Sequence, residues 1–183
     1  MMKRFLLLIL VLFSCGAVAR ISAATGSAAG AGAGSGAGVD AGVDATEIAI
    51  NHLDYPGDEV LLPAPYWVSY SAIATLCEAK FVEIPSSIEN DFKITPEQLE
   101  AAITPKTKMI FFNSPNNPSG TIYSEADYRA LAKVLEKHPQ IYILSDEIYE
   151  HINYDEKPFS FAAIESMYDR TITVNGLAKA FAM

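Results

Sequence analysis

Met109-Ile110-Phe111-Phe112 runs directly into Asn113-Ser114-Pro115-Asn116-Asn117-Pro118-Ser119-Gly120. Four consecutive large apolar residues closed by a cluster of turn formers predict a short strand buried on both faces. The same texture repeats outward in both directions. Downstream, Ser124 is placed to cap a helix whose Tyr128, Leu131, Val134 and Leu135 form one apolar stripe against Lys133, Glu136 and Lys137. Residues 141–144 and 171–174 read as two further short apolar strands. Upstream, Thr95 and Gln98 fit a capping box with Pro96 at the first helical position, opening a helix to about Ile103. Residues 80–84 and 59–62 read as strands, with a helix over 66–77 between them, after Pro63 and Pro65. A short helical pattern at Ile48, His52 and Leu53 ends at Pro56-Gly57. Helices alternating with short apolar strands predict an α/β fold. Its architecture is three layers, α/β/α, around a mainly parallel sheet covered on both faces.

The 183-residue chain carries a formal charge of −9, and that charge is unevenly placed. Lys3, Arg4 and Arg20 balance Asp40, Asp44 and Glu47, so the whole acid excess lies beyond residue 50. An acidic folded region argues against a nucleic-acid-binding face or an anionic-membrane patch, both of which need clustered Lys and Arg. Cys15 and Cys77 are the only cysteines and are far apart in sequence, which excludes a disulfide framework or a Cys-based zinc site as the organising feature.

The chain divides into three parts. Residues 1–21 read as a signal-peptide-like leader: Lys3 and Arg4, then an apolar run from Phe5 to Phe13, then small residues ending Ala17-Val18-Ala19. The apolar stretch is short for a bilayer-spanning helix, so no transmembrane span is expected. A misassigned gene start would give the same apolar run without any export role. Residues 22–45 consist of Ala, Gly and Ser with a few Val, Thr and Asp, and lack any aromatic or large aliphatic side chain. Such a stretch cannot bury enough surface to offset chain entropy and reads as a flexible linker. Its Gly-x-Gly patterns follow no strand and open no helix, so they do not make a phosphate loop. Residues 46–183 are the folded region.

In open α/β sheets ligands bind beyond the carboxyl ends of the strands. Three expected strands run into polar residues there: Phe112 into Asn113 and the Asn-Pro-rich turn, Leu144 into Ser145-Asp146-Glu147-Ile148-Tyr149, and Val174 into Asn175-Gly176-Leu177-Ala178-Lys179. An amide, a carboxylate, a phenol and an amine would meet at one rim. Singly, each has an ordinary explanation: a turn, a helix cap, a surface lysine, a core tryptophan at Trp67. The ordered combination is far more specific.

That ordered set resembles the class I aminotransferases, which use pyridoxal 5′-phosphate on the fold-type-I architecture. The similarity runs from about Thr46 to Met183, through Pro56-Gly57-Asp58-Glu59-Val60, Pro65-Tyr66-Trp67 and the three rim motifs, ending Lys179-Ala180-Phe181-Ala182-Met183. The wording Pro65-Tyr66-Trp67-Val68-Ser69-Tyr70 is most similar to the bacterial aspartate aminotransferase subgroup. The resemblance implies that Lys179 forms a Schiff base with the cofactor and then shuttles a proton. Asp146 would pair with the pyridine nitrogen, and Asn117 and Tyr149 would donate to the ring oxygen O3′. Trp67 would stack on the ring and, with Asn117, border the substrate. The implied reaction moves an amino group between an amino acid, aspartate-like by preference, and a 2-oxo acid, in a homodimer when full length.

Where the sequence departs from the family pattern, the departures concern anion binding. Ala178 stands where many relatives place a phosphate-binding serine. The chain stops at Met183, before the positions of the relatives' phosphate-binding and carboxylate-binding arginines, and the Ala/Gly-rich linker stands where a phosphate-cradling loop is expected. The resemblance therefore implies part of a large domain, about a third of a subunit. Two other readings stay open: an exported, catalytically inactive fragment acting as a binding domain, and a fold-type-I enzyme of another reaction type such as a β-lyase. The leader points to export, whereas such enzymes usually work in the cytoplasm.

Overall fold

A computed structural model describes residues 17–20, 57–154 and 157–182 of the chain. The elements in order are β1 (Ala17–Arg20), β2 (Glu59–Pro63), α1 (Ser69–Leu76), β3 (Lys80–Ile84), α2 (Pro96–Ala102), β4 (Thr107–Asn113), α3 (Glu125–Leu135), β5 (Tyr142–Asp146), β6 (Thr171–Gly176) and α4 (Leu177–Phe181). Short 3₁₀ turns lie at Ile88–Asn90, Phe161–Ala163 and Glu165–Arg170. The six strands form one sheet in the order β1-β6-β5-β4-β2-β3. Five of them run parallel, and β1 pairs antiparallel with the outer edge of β6. This is the α/β sheet that the alternation of elements predicts.

Strand alternation divides the core between the two faces. In β4, Ile110 and Phe112 join Leu61 and Ile143 against α2 and α3, where Leu99, Tyr128, Leu131 and Leu135 close the layer. Met109 and Phe111 point the other way, joining Val60, Leu62, Leu144 and Val174 beneath Tyr70 and Ala74 of α1. The first layer is the larger and is rich in aromatic contacts. Phe112 stacks on Phe161 at 5.1 Å between ring centroids, and Tyr128 meets both. A run of apolar residues with no polar alternation is what a strand covered on both sides requires.

The helices start where their caps dictate. Both expected caps form capping boxes, Thr95 with Gln98 and Ser124 with Asp127. Helix α1 is shorter than the 66–77 span expected from sequence. Val68 occupies its cap position and has no side chain that can accept a backbone N–H, so the helix is set by packing and begins at Ser69. Strand β5 is longer than the expected 141–144 and includes Ser145 and Asp146. Asn113 of β4 lies opposite Asp146, and Asp146 lies opposite Val174 of β6, so ladder pairing carries the strand through those polar residues. Strand β1 comes from the stretch read as the exit of the leader. The rest of the leader, the linker over 22–45 and the helical pattern at 48–53 lie outside the described residues. Among the described residues no helix is long and apolar enough to cross a membrane.

Candidate active site

Asn113, the last residue of β4, organises the rim. Its side chain is buried and bonds in two directions: Nδ2 donates to the Asp146 carbonyl at 3.0 Å, and Oδ1 accepts from the Asn117 backbone N–H at 2.7 Å. The amide thus ties the turn after β4 to the end of β5. The turn is closed from within by Asn116. Its backbone N–H donates to the Thr121 carbonyl at 2.9 Å, and its carbonyl accepts from Gly120 at 2.8 Å. Gly120 sits at φ +75°, a conformation that disfavours a side chain. Asn116 Oδ1 also accepts from the Ser119 N–H and hydroxyl, while its Nδ2 reaches the Pro65 carbonyl at 3.2 Å. The Asn-Pro-rich motif is therefore a braced turn, fastened to the segment that carries Trp67.

That turn presents Asn117 to Tyr149. Asn117 Nδ2 and the Tyr149 hydroxyl lie 3.5 Å apart, at the outer limit of hydrogen bonding. A contact that long is easily exchanged for an acceptor placed between the two groups. Lys179 lies in α4, straight after β6, and its Nζ sits 5.9 Å from the centre of the Tyr149 ring, within cation–π range. Asn117, Tyr149 and Lys179 are thus brought together directly. An open groove of about 650 Å³ begins at Asn117 and Tyr149 and continues past Pro118, Ile152 and Asn153.

Asp146 and Trp67 form the second part of the rim, joined through Tyr70. The Tyr70 hydroxyl donates to Asp146 Oδ2, and the Ile148 backbone N–H donates to Oδ1 at 3.1 Å. Tyr70 meets Trp67 edge-on at 5.6 Å and Phe111 edge-on at 5.3 Å. Trp67 itself is 39% exposed, so it is a rim residue rather than a core one. Glu147 follows Asp146 but turns to the opposite face, where Oε1 accepts from Ser145 Oγ at 2.9 Å and Ser160 Oγ at 2.7 Å. Burial pushes the Glu147 carboxyl up from its ordinary value, with the two serine hydrogen bonds opposing the shift.

All five residues singled out in the sequence are therefore at the carboxyl ends of the strands, in two groups bridged by Asn113. Two contributors escaped notice as site residues, Asn113 and Tyr70. Each had a signal: Asn113 is the first polar residue after a buried strand, and Tyr70 lies three positions from Trp67, near one helical turn. The donor set fits the ring end of pyridoxal phosphate. A carboxylate can accept from the ring N–H, an amide and a phenol can donate to the ring oxygen, and an amine can engage the aldehyde carbon. Ala178, beside Lys179 in α4, offers no hydroxyl.

The chain is similar to known proteins of one family. A family model described as aminotransferase class I and II matches residues 34–183. The chain is 52% identical over 130 residues to an aspartate/prephenate aminotransferase of Cereibacter sphaeroides, covering 70% of this chain and 32% of that protein. An aspartate aminotransferase of Rhizobium meliloti is also 52% identical over 130 residues, with the same coverage. Among solved structures, the aspartate aminotransferase from Rhizobium meliloti superposes with a TM-score of 0.72 at 48% identity, covering 75% of this chain and 36% of that one. The Thermus thermophilus aspartate aminotransferase with maleate gives 0.71 at 42% identity, covering 76% and 36%. The chain spans about a third of the length of the curated relatives it matches.

Proposed function

The chain belongs to the class I and II aminotransferase family, and from that premise we propose that it carries the ring-binding and proton-transfer half of a pyridoxal-phosphate-dependent aminotransferase site. The substrates proposed are an aspartate-like amino donor and a 2-oxo acid acceptor, in keeping with relatives named as aspartate and aspartate/prephenate aminotransferases. The observation that carries the reading is the convergence of Asn117, Tyr149 and Lys179 at the rim where Asp146 ends β5.

When bound, pyridoxal phosphate supplies an electron sink that acidifies the substrate Cα–H. The protein's own residues supply the rest. Asp146 would accept from the ring nitrogen and, as a carboxylate, would favour its protonated form. Asn117 and Tyr149 would donate to the ring oxygen and hold the ring against rotation. Trp67 offers an aromatic face at the mouth of the site. Lys179 would hold the cofactor through its amine until an amino acid displaces it, and the freed amine would take the proton from the substrate Cα and deliver it to the cofactor carbon that had carried the lysine. An amine in that role reacts only when unprotonated. Its position over the Tyr149 ring places it beside one of the two ring-oxygen donors.

The test is the half-reaction. Protein loaded with pyridoxal phosphate and mixed with L-aspartate should release a 2-oxo acid and leave the amine on the cofactor, and this should be lost in Lys179→Ala. Elimination of the β-substituent from an S-substituted cysteine, with release of ammonia and pyruvate, would instead identify a β-lyase, and no cofactor uptake would favour a binding domain.

A further inference from the structure

Glu147 stands at a three-way junction beneath the rim. Its backbone N–H donates to the Val174 carbonyl of β6 at 2.8 Å, which bonds the end of β5 to the strand leading to Lys179. Its side chain is buried on the face away from Asp146. There Oε1 accepts from Ser145 Oγ at 2.9 Å and Ser160 Oγ at 2.7 Å, and the Phe161 backbone N–H donates to the same carboxyl. Ser145 belongs to β5 itself, but Ser160 and Phe161 lie where the chain returns after leaving the sheet at Ile148. Phe161 is wholly buried and stacked on Phe112, so the far side of this contact is fixed in the core. The stretch that leaves and returns carries Tyr149, and its Ile152, Asn153 and Tyr154 line the groove. Tyr149 sits in a turn within it, where the Glu150 N–H donates to the Glu147 carbonyl at 2.9 Å and the Ile152 N–H to the Tyr149 carbonyl at 2.8 Å.

We propose that Glu147 is a positioning residue for Tyr149: its carboxyl clasps Ser160 to the end of β5 and so closes the base of the loop that aims the Tyr149 hydroxyl at Asn117. The proposal rests on the aminotransferase reading and deepens it, since the phenol so aimed is one of the two donors to the ring oxygen. Asn117 Nδ2 and the Tyr149 hydroxyl come from different segments and lie 3.5 Å apart. The spacing an acceptor must fill is therefore set by how firmly each segment is held. Asn113 fastens the segment of Asn117, and Glu147 does the same for the segment of Tyr149. Tying the two ends of a loop together removes the conformations in which the phenol swings away. Glu147 faces away from the rim and acts through the loop alone.

Ser160→Ala and Ser145→Ala separate this role from a general contribution to stability. Each removes one hydroxyl from the same Oε1, but only Ser160 spans the loop. Two measurements on the full chain use that difference. In protein without cofactor, hydrogen exchange of the Ile152 amide is compared with that of Leu144 in the buried centre of β5. The ratio should rise about fivefold in S160A, the worth of one hydrogen bond, and stay unchanged in S145A. Glu147→Ala should raise it at least as much as S160A. In protein offered pyridoxal phosphate, S160A should bind about fivefold more weakly, and that loss should vanish when Tyr149→Phe is already present. Equal effects of the two serine variants on Ile152, or no effect in S160A and Glu147→Ala, would overturn the proposal. So would a loss of cofactor binding in S160A that persists alongside Tyr149→Phe. Wild-type protein that takes up no cofactor at Lys179 would overturn the aminotransferase reading and with it the role toward the ring oxygen. The cofactor-free exchange ratio tells that failure apart from failure of the clasp.

Discussion

Asp146 and Glu147 are consecutive carboxylates at the end of one strand, and the alternation of β structure gives them opposite environments. Asp146 meets a phenol and a backbone N–H, while Glu147 meets two serine hydroxyls on the other face. Burial raises Glu147 above its ordinary value of 4.5, so the folded state prefers its neutral form. Its contribution to stability is therefore fully present below pH 4.5 and is lost as the pH rises through the raised folded value. Glu147→Gln keeps an acceptor oxygen for Ser145 and Ser160 and cannot ionise. Denaturant titrations should thus show the variant gaining on the wild type as pH increases from 4 to 7. A gap between the two that does not change with pH would contradict this account. At the ring-oxygen end, Asn117 and Tyr149 act as a pair. Removing one donor by Asn117→Ala or Tyr149→Phe should weaken cofactor binding by about 1 kcal/mol, the net value of one such hydrogen bond. Fluorescence or absorbance titration with pyridoxal phosphate reads that change.

At the scale of elements, the site depends on strand ends that sit level with one another. Asn113, Asp146 and Val174 face each other across β4, β5 and β6, and the Asn113 side chain then carries that alignment into the turn holding Asn117. Asn113→Ala leaves the Asn117 N–H without its buried partner and removes one of two donors to the Asp146 carbonyl, the Ser114 N–H remaining at 3.2 Å. It should lower stability by about 1–3 kcal/mol and weaken cofactor binding as well. Asn117→Ala, by contrast, should affect binding with little loss of stability, and parallel denaturation and binding titrations distinguish the two. The helices are pinned more locally. Ser124→Ala removes the cap of α3 and should cost about 1 kcal/mol, read as a lowered unfolding midpoint. These elements also show what the sequence makes legible. The buried strands and the two capping boxes follow from local chemistry, so residues 109–112, Thr95 and Ser124 predict their elements directly. The start of α1 does not, because Val68 offers no cap and packing alone decides the boundary. The role of Tyr70 was hidden for a related reason. It depends on a contact between residues 70 and 146, on a helix and a strand whose juxtaposition only the sheet order β5-β4-β2 creates.

For the molecule as a whole, the sheet separates two jobs. Its amino-terminal rim holds Glu59, where hydrogen bonds from Thr104 at 2.5 Å and Lys80 at 3.0 Å keep the carboxyl below the ordinary range. Its carboxyl-terminal rim gathers the groups that suit a pyridine ring. Between them lies an aromatic core centred on Phe112, Tyr128 and Phe161, which keeps the strand ends in register. The acid excess, the α/β order and the five rim residues all belong to this folded part, and the family match over residues 34–183 covers it. The central claim is that this rim takes pyridoxal phosphate through Lys179. Incubating the full chain with pyridoxal phosphate, reducing with borohydride and mapping the adduct by peptide mass spectrometry tests it most directly. A single modified site at Lys179, lost in Lys179→Ala and weakened in Asn117→Ala, is the predicted result. Modification scattered over Lys80, Lys93, Lys133 and Lys137, or none at Lys179, would contradict the account.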